Sequence, residues 1–148
     1  MSDAIMNGPS GGFAKLVPEL DVLNLADSLR FWCDGLGFTI AYQRPESAFA
    51  YLEREGAQVM LCEMNGNWRT GPLERPLGRG INFQIEASSL EPILAALSAM
   101  GWRLFRDVHD AWYRTGNVEG GNRQFLVQDP DGYLLRFYQN LGQREAQA

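Results

Sequence analysis

The side chains best suited to chemistry in this chain are few, and their types favour holding a ligand over transforming one. There is one histidine, His109, and there are two cysteines, Cys33 and Cys62. A single imidazole cannot build the usual zinc site, which draws three or four ligands from the protein, so His109 reads as an ordinary loop residue. Cys33 and Cys62 have neither metal-ligand spacing nor a disulfide framework around them. Each falls in an expected helix or strand, where a free thiol packs as a small hydrophobe. Asp129 and Asp131 suggest paired carboxylates, yet Asp129-Pro130-Asp131-Gly132 is turn chemistry: Pro presets φ at the second position and Gly accepts a positive φ at the end. The sequence has no Ser-His-acid signature, no phosphate-cradling loop ending in Lys-Ser/Thr and no dinucleotide fingerprint. What it does have is rings, with four Trp, five Tyr and eight Phe. On strands and loops these offer faces for a planar ligand, although the same pattern also describes a packed core.

The elements that must position these rings come in two copies. Phe125 precedes Gly132 by seven residues across the Asp-Pro-Asp-Gly turn, and Phe49 precedes Gly56 by the same seven. Upstream, Leu29, Phe31, Trp32 and Leu36 lead to Gly37-Phe38, and Ile93, Leu94, Leu97 and Met100 lead to Gly101-Trp102 at nearly the same separation. Such internal repetition points to a duplicated module, placed at about 16–64 and 80–139. Residues 65–79 connect them, with Gly66, Gly71, Pro72, Pro76 and Gly78 marking a loop. In the first module the expected order is a strand from Leu16 to Leu23, a helix capped near Asn24 and Asp27, and strands Phe38–Arg44, Phe49–Glu53 and Ala57–Glu63. In the second, Asn82, Gln84 and Glu86 alternate with Ile81, Phe83 and Ile85, so Asn82 and Gln84 share a strand face. A helix follows from Glu91 to Met100, then a strand from Trp102 to Arg106. A looping excursion from Asp107 to Asn122 carries His109, Trp112 and Tyr113. Each half is thus βαβββ, an α+β fold. Residues 1–15 and 140–148 read as polar or flexible tails.

A net charge of −5 over 148 residues disfavours nonspecific nucleic-acid binding and suits a cationic ligand. No apolar run reaches the ~20 residues that span a bilayer, and Met1 to Lys15 lacks the pattern of a signal peptide. The expectation is a cytoplasmic protein without membrane or nucleic-acid partners.

The stretch from Leu29 to Phe38 and the hairpin from Arg123 to Phe137, set in paired modules, resemble the vicinal oxygen chelate superfamily over residues 16 to 139, and within it most closely the bleomycin-resistance proteins. The resemblance implies two βαβββ modules whose mixed sheets curl around a cleft completed in a homodimer. Metalloenzymes of that superfamily draw ligands from matching inner-face positions, which fall here at Val17, Met60, Asn82 and Arg136. An offset of one or two residues would put Pro18 or Glu19 at the first. A methionine, an amide and a guanidinium make a poor donor set for a divalent ion, and the arginine cation opposes one. The reading is therefore a binding protein with no cofactor and no catalytic residues. Its ligand would be a bleomycin-type cationic glycopeptide or another planar small molecule.

By the same resemblance a planar group stacks on Phe49, with Tyr42 next and Tyr51 on the same face. Gly121 and Asn122 supply backbone across from the ring. Trp68 and Trp112, as large aromatics in expected loops, cap the cleft or bury a dimer contact, and Tyr113 joins the ligand-binding residues. Asn82, Gln84 and Arg136 hydrogen-bond an amide-rich ligand, or else Arg136 pairs with Glu19, Glu63 or Glu86. Two alternatives stay open: a glyoxalase- or dioxygenase-like metalloenzyme with an atypical site, and a binder of an endogenous planar metabolite.

Overall fold

The computed structural model describes residues 8–147. The chain divides into two compact units between Arg75 and Pro76, inside the connector that the sequence marks with breakers. Each unit holds one four-stranded mixed sheet.

In the first unit, β1 (Glu19–Val22), β2 (Thr39–Arg44), β3 (Phe49–Arg54) and β4 (Ala57–Glu63) lie in the order β1-β4-β3-β2. β1 runs parallel to β4, and the other pairs are antiparallel. The crossover between β1 and β2 is helical. Asn24 caps α1 (Leu25–Leu29), its side-chain oxygen accepting from the Asp27 amide at 3.0 Å, as the sequence predicts. The helix then widens into a π-helical turn over Arg30–Gly35, where the Leu36 amide donates to the Phe31 carbonyl five residues back. That turn buries Phe31 and Trp32, both 1% exposed. Their place in the core is their structural role. The β3–β4 hairpin turns through Glu55 and Gly56, both at positive φ, the geometry that matches strand twist in two-residue hairpins.

In the second unit, β5 (Asn82–Glu86), β6 (Arg106–Thr115), β7 (Val118–Gln128) and β8 (Leu134–Glu145) lie in the order β5-β8-β7-β6, with β5 parallel to β8. Helix α2 (Glu91–Ala99) has Pro92 in its first turn and stops before Gly101, whose φ is +66°. The β7–β8 turn is held by Asp129: its Oδ1 accepts from the amides of Asp131 at 3.0 Å and Tyr133 at 2.9 Å. The two aspartates are thus turn formers. Gly132 is required twice over, for its φ of +104° and because a Cβ there would sit 2.5 Å from Cβ of Pro76.

Four expectations are corrected. Residues 107–122 are not a looping excursion but most of the β6–β7 hairpin. Its outer part is held by polar pairs across strands, such as Asp110–Arg123 at 2.9 Å, so no apolar alternation announces it. Residues 102–105 are irregular, because the Trp102 indole is turned to donate to the Gln128 carbonyl at 2.9 Å. The polar end is not a tail through residue 145, since β8 continues to Glu145 and pairs with β7 as far as Val118. Residues 8–15 are docked on the first sheet, as the site geometry below details. Residues 1–7 and 148 of the expected tails lie outside the described residues.

Candidate functional site

Register places the candidate rings of the first unit on one sheet face. Arg44 lies opposite Phe49, Tyr42 opposite Tyr51, Tyr51 opposite Met60, and Met60 opposite Glu19. Because strand side chains alternate, Phe49, Tyr51, Met60, Cys62, Glu19 and Asp21 share that face. The other face carries Val22, Ala50, Leu52 and Leu61, which are fully buried. Tyr42 and Tyr51 stack with ring centroids 5.1 Å apart at 19°, and Tyr42 meets Phe49 at 5.9 Å. Val17, Tyr42 and Met60, half-buried, pack against a buried core of Ala41, Phe49, Tyr51 and Cys62.

This face already has occupants from its own chain. The Arg44 guanidinium lies 3.9 Å from the Phe49 ring centroid, a cation–π contact. Phe13 meets Tyr51 edge-on at 5.4 Å and Tyr42 at 6.1 Å. Phe13 is held there by its backbone neighbours: the Ser10 amide donates to Glu53 Oε2 at 2.8 Å and the Ala14 amide to Gln58 Oε1 at 2.8 Å, while Gln58 Nε2 donates to the Gly12 carbonyl at 2.8 Å. The Tyr51 hydroxyl also donates to Gln58 Oε1. Burial first, then the neighbouring Tyr42 and Glu53, hold the Tyr51 hydroxyl above the usual tyrosine range. A cavity of about 630 Å³ opens beside this segment, between residues 10–14 and the turn of the β3–β4 hairpin. Phe49, the leading stacking candidate by sequence, is only 2% exposed, as is Tyr51. Tyr42 is the ring of the three that keeps part of its surface open. Neither Phe13 nor Arg44 stood among the sequence candidates, although an aromatic in a Gly-rich stretch and an arginine two residues from a tyrosine were the available signals.

The second unit gathers a polar face. Gln84 lies opposite Arg136, Arg136 opposite Leu126, and Gln124 opposite both Tyr138 and His109. Arg136 Nη2 donates to Gln84 Oε1 at 2.6 Å, so its partner is an amide and not one of the carboxylates considered from sequence. His109 is corrected from a loop residue to a strand residue with defined contacts. Its Nδ1 lies 2.9 Å from the Asp107 carbonyl and its Nε2 lies 3.1 Å from Gln124 Nε2. Gln124 Nε2 also donates to the Tyr113 hydroxyl at 2.8 Å. Asn82 sits exposed on the β5 face with Gln84.

The remaining candidates do not all join this group. Trp112 and Tyr113 are consecutive in β6 and therefore point to opposite faces. Trp112 lies over Gly121 and under the Arg144 guanidinium, which is 4.1 Å from the ring centroid. Arg144 in turn pairs with Glu119 at 2.8 Å. Asn122 stands next to Gly121 where the β7–β8 register shifts, opposite Asn140. Trp68 is 66% exposed in the connector.

The superfamily's metal-ligand positions can be tested by donor chemistry. In the first unit Val17 and Met60 line the aromatic cluster, and register sets Glu19, the offset candidate, beside Met60. In the second, Asn82 is exposed and Arg136 is bonded to Gln84. One carboxylate beside a thioether, and an amide beside a guanidinium, do not fit a divalent ion. Among the described residues no three of His, Cys, Asp and Glu gather as a metal-binding group, and no helix is long and apolar enough to cross a membrane.

Residues 19–137 match the family model of the Glyoxalase/Bleomycin resistance protein/Dioxygenase superfamily. The bleomycin resistance protein of Geobacillus stearothermophilus is 26% identical over 135 residues, covering 84% of this chain and 96% of that one. A Staphylococcus aureus bleomycin resistance protein matches with the same values. Among solved structures, TioX from Micromonospora sp. ML1 superposes with a TM-score of 0.66 at 19% identity, over 87% of this chain and 100% of that one. TnmS3, an antibiotic binding protein from Streptomyces sp. CB03234, superposes with a TM-score of 0.55 at 17% identity, over 84% and 93%. At these identities the two structures speak to the fold.

Proposed function

Because the chain belongs to the Glyoxalase/Bleomycin resistance protein/Dioxygenase superfamily, we propose that it is a binding protein that captures a bleomycin-type glycopeptide without metal and without turnover. The observation that carries this reading is the stacked Tyr42–Tyr51 pair with a planar cation, the Arg44 guanidinium, already lying on the adjoining Phe49 ring. A surface that holds a guanidinium in this way suits another flat, electron-poor group. The ligand's planar part takes the place of Arg44 or Phe13 against Tyr42, and Glu19 and Asp21 on the same face favour its cationic parts. The resemblance to the bleomycin resistance proteins names the ligand class.

Capture at useful drug levels needs micromolar to nanomolar affinity, about 8–12 kcal/mol. Stacked rings add only ~0.5–1.5 kcal/mol each beyond area burial, so a large enclosed surface is required. The proposal therefore includes a homodimer.

The test is calorimetric titration of chelator-treated protein with metal-free bleomycin. Saturable binding near one ligand per chain, weakened by Tyr42→Ala, supports capture. Absence of heat to well above micromolar, with no competition in a fluorescence assay, rejects it. Metal-dependent turnover of a glyoxalase or dioxygenase substrate would replace it with an enzyme.

A further inference from the structure

The polar face of the second sheet contains two buried atoms of opposite hydrogen-bonding sense, Gln124 Oε1 and Arg136 Nε, neither of which has a partner among the described residues. Gln124 is 2% exposed. Buried polar atoms are nearly always satisfied, and leaving one unpaired is unfavourable. Two on neighbouring strands mark a place built for something else.

Their geometry specifies what that is. Arg136 lies opposite Leu126 and Gln124 is two residues along β7 from Leu126, so the two residues are diagonal neighbours on one face, roughly 7–8 Å apart along the backbone diagonal. The guanidinium is oriented by its Nη2 bond to Gln84. The orientation of the Gln124 amide follows from His109. A carbonyl only accepts, so His109 Nδ1 donates to Asp107 O, and in that tautomer Nε2 takes the acceptor role toward the Gln124 amide. Gln124 must then present its NH₂ group to His109 and to the Tyr113 hydroxyl, and its Oε1 is left pointing away as an acceptor. The face thus carries one donor on β8 and one acceptor on the adjoining β7.

We infer that Gln124 and Arg136 form a recognition site for a neutral planar amide, whose carbonyl accepts from Arg136 Nε and whose N–H donates to Gln124 Oε1. A carboxylate would satisfy the arginine but set its second oxygen against Gln124 Oε1, so the site selects the amide over the acid. His109 and Tyr113 act as positioning residues that hold the Gln124 amide in this sense. The inference deepens the capture reading by naming the group that this face reads in an amide-rich ligand, and it rests on that reading for the larger molecule alone.

The probes are nicotinamide and nicotinate, which share a ring and differ in amide against acid. In ¹H–¹⁵N spectra, with assignment by Arg136→Met, nicotinamide shifts the Arg136 Nε–H signal saturably and nicotinate binds at least about tenfold more weakly. Gln124→Met, close in volume, weakens nicotinamide by roughly tenfold. Asp110→Asn, on the opposite face of β6, leaves it unchanged. Equal shifts by both probes, or no shift by either up to about millimolar concentrations, overturn the inference. The comparison of probes on the unaltered protein stands even if Gln124→Met folds poorly. Bleomycin titrated in parallel separates the two readings: nicotinamide binding without bleomycin binding sinks capture and keeps the amide site, whereas bleomycin binding without nicotinamide binding does the reverse.

Discussion

The indole of Trp112 lies across Gly121 so closely that a Cβ on Gly121 would sit 2.6 Å from Trp112 Cη2. The two residues are directly opposed in the β6–β7 hairpin, and the glycine leaves room for the ring to lie flat with Arg144 on its outer face. Gly121→Ala is therefore expected to lower unfolding stability by about 1–3 kcal/mol, the range for overpacking. In combination with Trp112→Ala most of that loss should disappear, because the clash is with the ring. Urea denaturation of the two single variants and the double variant checks this, and additivity would contradict it.

Tyr42 and Phe49 should separate binding from stability. Phe49 is buried and lost contacts there leave a cavity, so Phe49→Ala is expected to destabilise the protein by about 3–5 kcal/mol. Tyr42 is half-buried. Tyr42→Ala should weaken bleomycin binding by roughly tenfold at a smaller stability loss. Thermal melts alongside the calorimetry distinguish the two, and the reverse ranking would move the stacking ring back to Phe49.

Phe13 competes for the surface that a ligand would use. Its edge contacts to Tyr42 and Tyr51 are worth on the order of 1 kcal/mol each. Phe13→Ala should tighten bleomycin binding several-fold, with a faster association rate. Weaker binding instead would make Phe13 part of the ligand's own surface.

Both thiols should be slow nucleophiles in the folded protein. Burial, helped by the Asp34 carboxylate, pushes the Cys33 thiol up. Burial, then Glu19 and Asp21, raises Cys62 against the opposing pull of Arg44. Less thiolate is present at neutral pH, so iodoacetamide should label both more slowly than free cysteine, with the rate rising at a more alkaline pH. Since the folded thiols hold their protons more tightly than unfolded ones, their contribution to stability is present below the ordinary thiol range. It is lost as pH rises through the folded values. Mass spectrometry of timed alkylation at several pH values checks the order, and labelling as fast as free cysteine would refute it.

Dimer formation is an element of the capture proposal open to direct measurement. Light scattering should give a mass twice the 16.6 kDa of the chain. A monomer at micromolar concentration that still binds bleomycin would remove the dimer from the proposal.

The sequence by itself determined the duplication, the α+β class, the Asn24 cap, the Asp129-Pro130-Asp131-Gly132 turn and the shared face of Phe49 and Tyr51. Each of these is written in neighbouring residues, as turn chemistry or as a period of two or 3.6, and survives without knowledge of the partner strand. Tertiary structure decided the rest. That Arg44 covers Phe49 and that Gln124 meets His109 depend on register between strands, and that Phe13 reaches Tyr51 depends on the docking of its own segment through Gln58. The β6–β7 hairpin was illegible for a related reason. β6 and β7 are tied by the opposed pair Asp110 with Arg123, and β7 is tied to β8 by Glu119 with Arg144, and a cross-strand pair leaves no periodic trace along either strand alone.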